Sequence, residues 1–235
     1  MISALPQAWK TRRLTESNSL SLFTFISQTE SSSRYIYEKN VWRGTCFPEQ
    51  LAPKWGRELG DLDINDDTLY NSFKKLYAAS VSTRVRYFQF KLIHRILGNN
   101  EKLFRWGIKS NNMCDLCDND VETYVHLFCD CPKVKPFWRD VQIWILNETG
   151  ASVDLSSKEI LLGTPETLPP IYDLFNMIAK MYIYSCKINN SQPSIQGFTN
   201  RLMNIKQTEK YIAVKNNKLK QFNEKWFIED ITDVL

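Results

Sequence analysis

The chain has 235 residues, 43% hydrophobic and 13% aromatic, a composition that supplies a sizeable core and excludes a mainly disordered chain. Its formal net charge of +4 excludes little by itself, because two basic stretches and an acidic end cancel within that total. The longest apolar tract, Ile171 to Cys186, is interrupted by Asp173, Asn176 and Lys180, so it is too short and too polar to span a bilayer and no membrane partner is expected.

Residues 1–45 mix a weakly patterned Ser-rich stretch, Glu16 to Arg34, with aromatic islands, and read as a partly ordered lead-in. The first ten residues lack a basic segment followed by an apolar one, so a reducing compartment, cytoplasmic or nuclear, is expected. Arg34 to Tyr37 is a short strand candidate.

Residues 46–110 read as a basic helical segment. The acidic run Asp61, Asp63, Asp66 and Asp67 superficially resembles a calcium loop, but Asp66 stands where such a loop needs Gly and Ser72 where it needs Glu. An N-cap is the better reading, ahead of a helix from about Thr68 to Ala79 with Leu69, Phe73, Leu76 and Tyr77 on one face. A second helix is expected over Ser82 to Leu97, with Val85, Phe88, Leu92 and Ile96 as its apolar stripe and Gly98 as its stop.

Arg84, Lys91 and Arg95 recur at spacings of seven and four along one flank of that helix. From Arg84 to Lys109 there are seven cations, Arg84, Arg86, Lys91, Arg95, Lys102, Arg105 and Lys109, against the single acid Glu101. Such a stretch suits a phosphate backbone, with Tyr87, Phe104 and Trp106 as candidate platforms for unpaired bases. The plainer alternative is a solvated helix face beside ordinary core aromatics. His94, on the same stretch, reads as a hydrogen-bonded structural histidine.

Residues 111–146 hold the most specific signal, C-x2-C-x8-H-x4-C at Cys114, Cys117, His126 and Cys131. Three thiolates and one imidazole complete a closed tetrahedral zinc site, and the two-residue gap lets a tight turn aim Cys114 and Cys117 at one point. Asp118, Asn119 and Asp120 supply turn formers within the middle gap. Cys129 lies two residues before Cys131 and is the reserve ligand. Four of the six cysteines and one of the two histidines fall in this cluster, so one structural Zn2+ is expected there, with Cys46 and Cys186 as buried free thiols.

After the knuckle, Phe137, Trp138, Val141, Trp144 and Ile145 form a helical stripe to about Asn147 that caps the metal site with aromatics. Residues 147–235 form a C-terminal helical segment. It opens with a loop-rich stretch to Pro170, in which Glu159 to Leu162 is a strand candidate, followed by helices over about Pro170 to Asn189 and Ser194 to Asn223. The last helix is basic again: Arg201 to Lys225 holds seven cations against Glu209 and Glu224. The expected fold is mainly α, an irregular helical domain with a small embedded CCHC zinc knuckle.

No phosphate-cradling G-x-x-x-x-G-K-[ST] loop is present, and no strand pattern presents the paired carboxylates of a two-metal polymerase or nuclease. A nucleophile would have only His94 as its base, since His126 serves the metal. No catalysis, no small-molecule substrate and no catalytic residues are expected.

The stretches Arg86-Tyr-Phe-Gln-Phe-Lys-Leu-Ile-His-Arg-Ile-Leu, Asn112-Met-Cys-Asp-Leu-Cys and Thr123-Tyr-Val-His-Leu-Phe-Cys-Asp-Cys-Pro-Lys, ending at Phe137-Trp138, resemble the C-terminal region of LINE-type (non-LTR) retrotransposon reverse transcriptases. The similarity extends over roughly residues 40–228, through Trp55-Gly-Arg-Glu-Leu-Gly, Ala179-Lys-Met-Tyr-Ile-Tyr-Ser-Cys-Lys and Glu209-Lys-Tyr-Ile-Ala-Val-Lys-Asn-Asn-Lys-Leu. In that family the last zinc ligand is the cysteine before the Pro-Lys step, which maps onto Cys131. The resemblance implies a segment that grips element RNA and target DNA. The polymerase and endonuclease domains of full members have no counterpart here, as in a truncated copy, a fragment or a repurposed remnant, so enzymatic activity does not carry over.

Overall fold

The chain divides into two units, Met1–Leu51 and Ala52–Leu235. The computed structural model describes residues 51–61, 63–105 and 108–226, so the lead-in, the strand candidate at Arg34 to Tyr37, Cys46 and Trp106 lie outside the described residues. Nine α-helices are described: α1 (Leu51–Leu59), α2 (Asp66–Ala79), α3 (Thr83–Ile93), α4 (Asn100–Arg105), α5 (Lys135–Thr149), α6 (Ser157–Leu162), α7 (Pro170–Ile188), α8 (Ile195–Lys215) and α9 (Leu219–Trp226). A π-helical turn, His126–Asp130, lies between α4 and α5, and an isolated antiparallel bridge between Met113 and Val121 is the one β pairing among the described residues. The fold is mainly α, as expected.

Helix α7 is the hub and packs against α2, α3, α8, α9 and the π turn. It is apolar almost all round, the pattern of a helix enclosed by others, and Ile171, Leu174, Phe175, Ile178, Ala179 and Ile183 are all buried. No helix among the described residues is long and apolar enough to cross a membrane. The polar residues that interrupt the tract are buried in protein: Asp173 accepts from the Thr164 backbone N–H (2.8 Å), and the Asn176 amide donates to the Glu159 carbonyl (2.8 Å).

Lys180 is fully buried, and its Nζ reaches the Leu161 carbonyl at 3.4 Å. Desolvation pushes its pKa down to about 7. Its ordinary value lies near 10.5, so between about pH 7 and that value the unfolded chain binds the extra proton, and stability rises with pH across this window. Below about pH 7 the full cost of the buried ammonium is present. Lys180→Met is therefore expected to stabilise the fold by about 1–4 kcal/mol near pH 7 and to flatten the rise in stability between pH 7 and 9, measured by urea unfolding. The Leu161 carbonyl keeps its bond from the Gln89 amide (2.8 Å) in that variant.

Local signals account for several helix ends. Asn65 and Thr68 form a capping box at α2, with Asp66 and Asp67 in the first turn, so the acidic run is a helix start. Ser156 and Glu159 form a second capping box, which makes Glu159 to Leu162 part of α6 instead of a strand. The helix expected over Ser194 to Asn223 is two helices. Asn217 takes the left-handed conformation (φ 55°) between α8 and α9, while Lys218 N–H donates to the Ala213 carbonyl and Asn217 N–H to the Val214 carbonyl. Gly197, at the start of α8, lies so close against the Tyr182 ring that a Cβ has no room.

Helix α3 also stops early, at Ile93 instead of Leu97. Arg95 adopts φ 56°, Ile96 N–H donates to the Lys91 carbonyl, and Arg95 N–H donates to the Leu92 carbonyl, the closing pattern that glycine usually supplies. The left-handed backbone is held by the Arg95 side chain, which pairs with Glu58 and lies over the rings of Trp55 (4.6 Å) and Tyr124 (5.1 Å). His94, just before it, is buried against Phe90 and Phe73 and is pushed down to about 4 by burial, so it is a neutral core residue. Cys186 is a buried free thiol.

Candidate metal centre and basic groove

Two short segments bring the four ligands together. Around the Met113–Val121 bridge, Cys114 N–H donates to the Asp120 carbonyl and Asp118 N–H to the Cys114 carbonyl, with Asp118 at φ 55° closing the turn. This hairpin presents Cys114 and Cys117. His126 begins the π turn and Cys131 follows it, with Cys131 N–H donating to the His126 carbonyl at 2.8 Å. In an α-helix, at about 100° per residue, positions five apart point about 140° away from each other. The wider i→i+5 turn closes that gap, and π turns of this kind recur at functional sites.

The sulfur and nitrogen atoms of Cys114, Cys117, His126 and Cys131 all lie within 4.8 Å of one another. Cys114 Sγ is 3.9 Å from Cys131 Sγ, and Cys117 Sγ is 3.3 Å from His126 Nε2. A tetrahedron with Zn–S of about 2.3 Å and Zn–N of about 2.0–2.1 Å has edges of about 3.8 Å and about 3.6 Å, so the set fits one structural zinc ion. It is the one such cluster among the described residues, and the acidic run near Asp61 forms none. His126 Nε2 faces the thiols, and Nδ1 is on the side of Asp120, 3.9 Å away and beyond hydrogen-bond distance.

The Cys131 thiol pushes Cys114 well above the usual thiol range, and the same contact holds Cys131 below it. A zinc ion would take both as thiolates, so its binding would release their protons. Cys129 faces the Ser157 carbonyl at 3.9 Å and is pushed up to about 12 by burial, the surroundings of an inert core thiol. The structure thus selects Cys131 over Cys129.

Three ties fasten the knuckle to the helices, the first two of which the sequence did not disclose. Glu58 on α1 accepts from the Tyr124 (2.7 Å) and Val125 (3.2 Å) N–H groups at the start of the π turn. Glu122, fully buried, pairs with the buried Lys187 of α7 and also accepts from the Asn100 (2.8 Å) and Asp115 (3.2 Å) N–H groups. The Trp138 indole of α5 donates to the Phe128 carbonyl (2.6 Å) in the π turn, which is how the expected aromatic cap acts.

The seven cations from Arg84 to Lys109 take different positions. Arg86 donates to the Ser80 and Tyr77 carbonyls, Arg95 is held by Glu58, and Lys102 donates to the Tyr124 hydroxyl (2.9 Å) with its pKa pushed down to about 8 by burial. Arg105 pairs with Glu101 and Lys109 with Asp115. Arg84 is exposed and forms no ion pair among the described residues, and Lys91 lies over the Tyr87 ring (4.6 Å).

Arg84 and Lys91 border a groove of about 300 Å³ between α3 and the C-terminal half of α7, and Arg201 of α8 borders its far side. Among the described residues no carboxylate lines it. Phe88 and Tyr184 in its wall pack on Phe128 of the π turn, at ring separations of 6.3 and 6.5 Å, so one aromatic layer joins groove and knuckle. Arg201 belongs to the second basic stretch, and only the packing of α8 on α7 brings it beside the first.

No curated protein matches the chain. Residues 63–138, which include all four ligands, match the family model described as zinc-binding in reverse transcriptase, so this part of the chain is similar to a reverse-transcriptase-associated zinc domain.

Proposed function

We propose that the chain is a zinc-organised nucleic-acid-binding module without catalytic activity of its own, of the kind found beyond the polymerase of LINE-type retrotransposon reverse transcriptases. The observation that carries this reading is the acid-free groove with Arg84, Lys91 and Arg201 around it, seated on the same aromatic layer as the zinc knuckle. Cations with no competing carboxylate exchange their counterions for phosphates, the main source of affinity for a nucleic-acid backbone. Zinc supports the surface indirectly, by holding the π turn whose Phe128 backs the groove.

A zinc-stabilised protein-interaction module is the second reading. It is favoured by a larger groove of about 680 Å³ whose lining mixes apolar residues, such as Val81 and Phe222, with charges of both signs.

A salt titration of zinc-loaded protein with RNA and with duplex DNA separates the two. Affinity is expected to fall steeply with salt, and Arg84→Ala with Lys91→Ala to reduce the slope of log K against log salt by about 0.7 to 0.9 for each phosphate no longer neutralised. Absence of binding at low salt would sink the nucleic-acid reading.

A further inference from the structure

We infer that the groove between α3, α7 and α8 takes a single strand of nucleic acid, with an unpaired base stacked on Tyr87 and the backbone held between Arg84 and Lys91 on one side and Arg201 on the other. This rests on the nucleic-acid reading above and adds which form of the polymer the groove accepts.

Cations alone would suit a duplex or a single strand. The groove's apolar content makes the choice. Tyr87 is 49% exposed although it sits on a helix with a well-filled core face, and Ile188, at the end of α7, is 66% exposed beside it. In a duplex the base faces are already stacked on one another, so the duplex offers a protein only edges and backbone, and these two side chains would meet phosphates and sugars. A splayed base offers its π-face, the partner an exposed tyrosine ring needs.

The charges are placed to match. Lys91 Nζ lies over one face of the Tyr87 ring, so the cation backs the platform and a base stacks on the opposite face. Arg84 and Lys91 are seven residues, about 10 Å, apart along α3, a row of cations running with the groove. Arg201 is positioned by the Ser185 hydroxyl (2.7 Å) and by the Tyr182 ring (5.2 Å), which hold the guanidinium at the far wall. Tyr184 is tied through its hydroxyl to the Gly98 carbonyl (2.9 Å) and forms a fixed floor.

The test uses the full chain loaded with zinc and fluorescent oligouridylate or oligothymidylate of about 15 nucleotides, with a duplex of equal length as competitor. Single strands are expected to bind and to resist displacement by duplex. Tyr87→Ala should weaken single-strand binding roughly 5- to 150-fold while leaving duplex binding unchanged, and Tyr87→Trp should restore it. Arg201→Gln should lower the salt slope by about 0.7. Binding of one oligonucleotide but not the other identifies RNA or DNA as the source and supports the groove equally. Equal competition by duplex, with Tyr87→Ala changing neither, overturns the inference while the nucleic-acid reading stands. No binding of any strand at low salt overturns both.

Discussion

Cys117→Ser is expected to remove the bound zinc and to lower the melting temperature substantially. Native mass spectrometry should find one zinc per chain in the parent protein, matching the one tetrad among the described residues, and none in the variant. Zinc binding contributes about 10–16 kcal/mol in finger peptides that have no fold without it. Here the helices around α7 form a core of their own, so a smaller loss is expected, and about 4 kcal/mol would lower the melting temperature by roughly 8–16 °C. Chelation should reproduce the shift. Cys129→Ser should keep its zinc, because that sulfur faces the Ser157 carbonyl and not the other ligands. Zinc retained by Cys117→Ser would refute the site.

The second large effect is expected at the tie between knuckle and hub. Glu122→Ala removes the nearest carboxylate from the buried Lys187 ammonium, which keeps the Asn100 side-chain oxygen (3.0 Å) and Asp115 (3.8 Å), and it orphans the Asn100 and Asp115 N–H groups, so a cost of about 3–5 kcal/mol in urea unfolding is expected. Lys187→Met should cost less, because Glu122 keeps both backbone donors. Replacing the pair together, as Glu122→Gln with Lys187→Met, should recover much of the loss, since it removes both buried charges and leaves an acceptor for those N–H groups. If Glu122→Ala proves no more harmful than an average surface change, the pair does not hold the knuckle. The same variant tests the coupling to the groove: Lys187 neighbours Ile188 in sequence, so loosening the tie should weaken oligonucleotide binding along with stability.

These expectations separate what local chemistry specifies from what packing adds. The ligand set was legible because metal coordination demands particular atoms at particular spacings, and few residue types supply them. The helices α2, α3, α5 and α7 were legible as well, since each carries a 3.6-residue apolar stripe or a nearly continuous apolar run and a recognisable start. The π turn was not, because nothing in His126-Leu-Phe-Cys-Asp-Cys distinguishes it from an α-helical turn until the four ligands converge. Arg95 misled for a related reason. Arginine favours helices, and its left-handed backbone becomes tolerable only once Glu58, Trp55 and Tyr124, all distant in sequence, surround its side chain.

The basic stretch shows the same division. Seven cations between Arg84 and Lys109 looked like one uniform face, yet five of them are engaged within the protein, by Glu58, Glu101, Asp115, Tyr124 or backbone carbonyls. By itself the sequence determined a mainly helical chain with one CCHC zinc site, because periodicity and ligand chemistry are local properties. Only the tertiary structure decided which cations remain available to a partner and which distant residue, Arg201, joins them. Charge counted along a chain does not record where each side chain finds its counterion; that depends on which helices pack together.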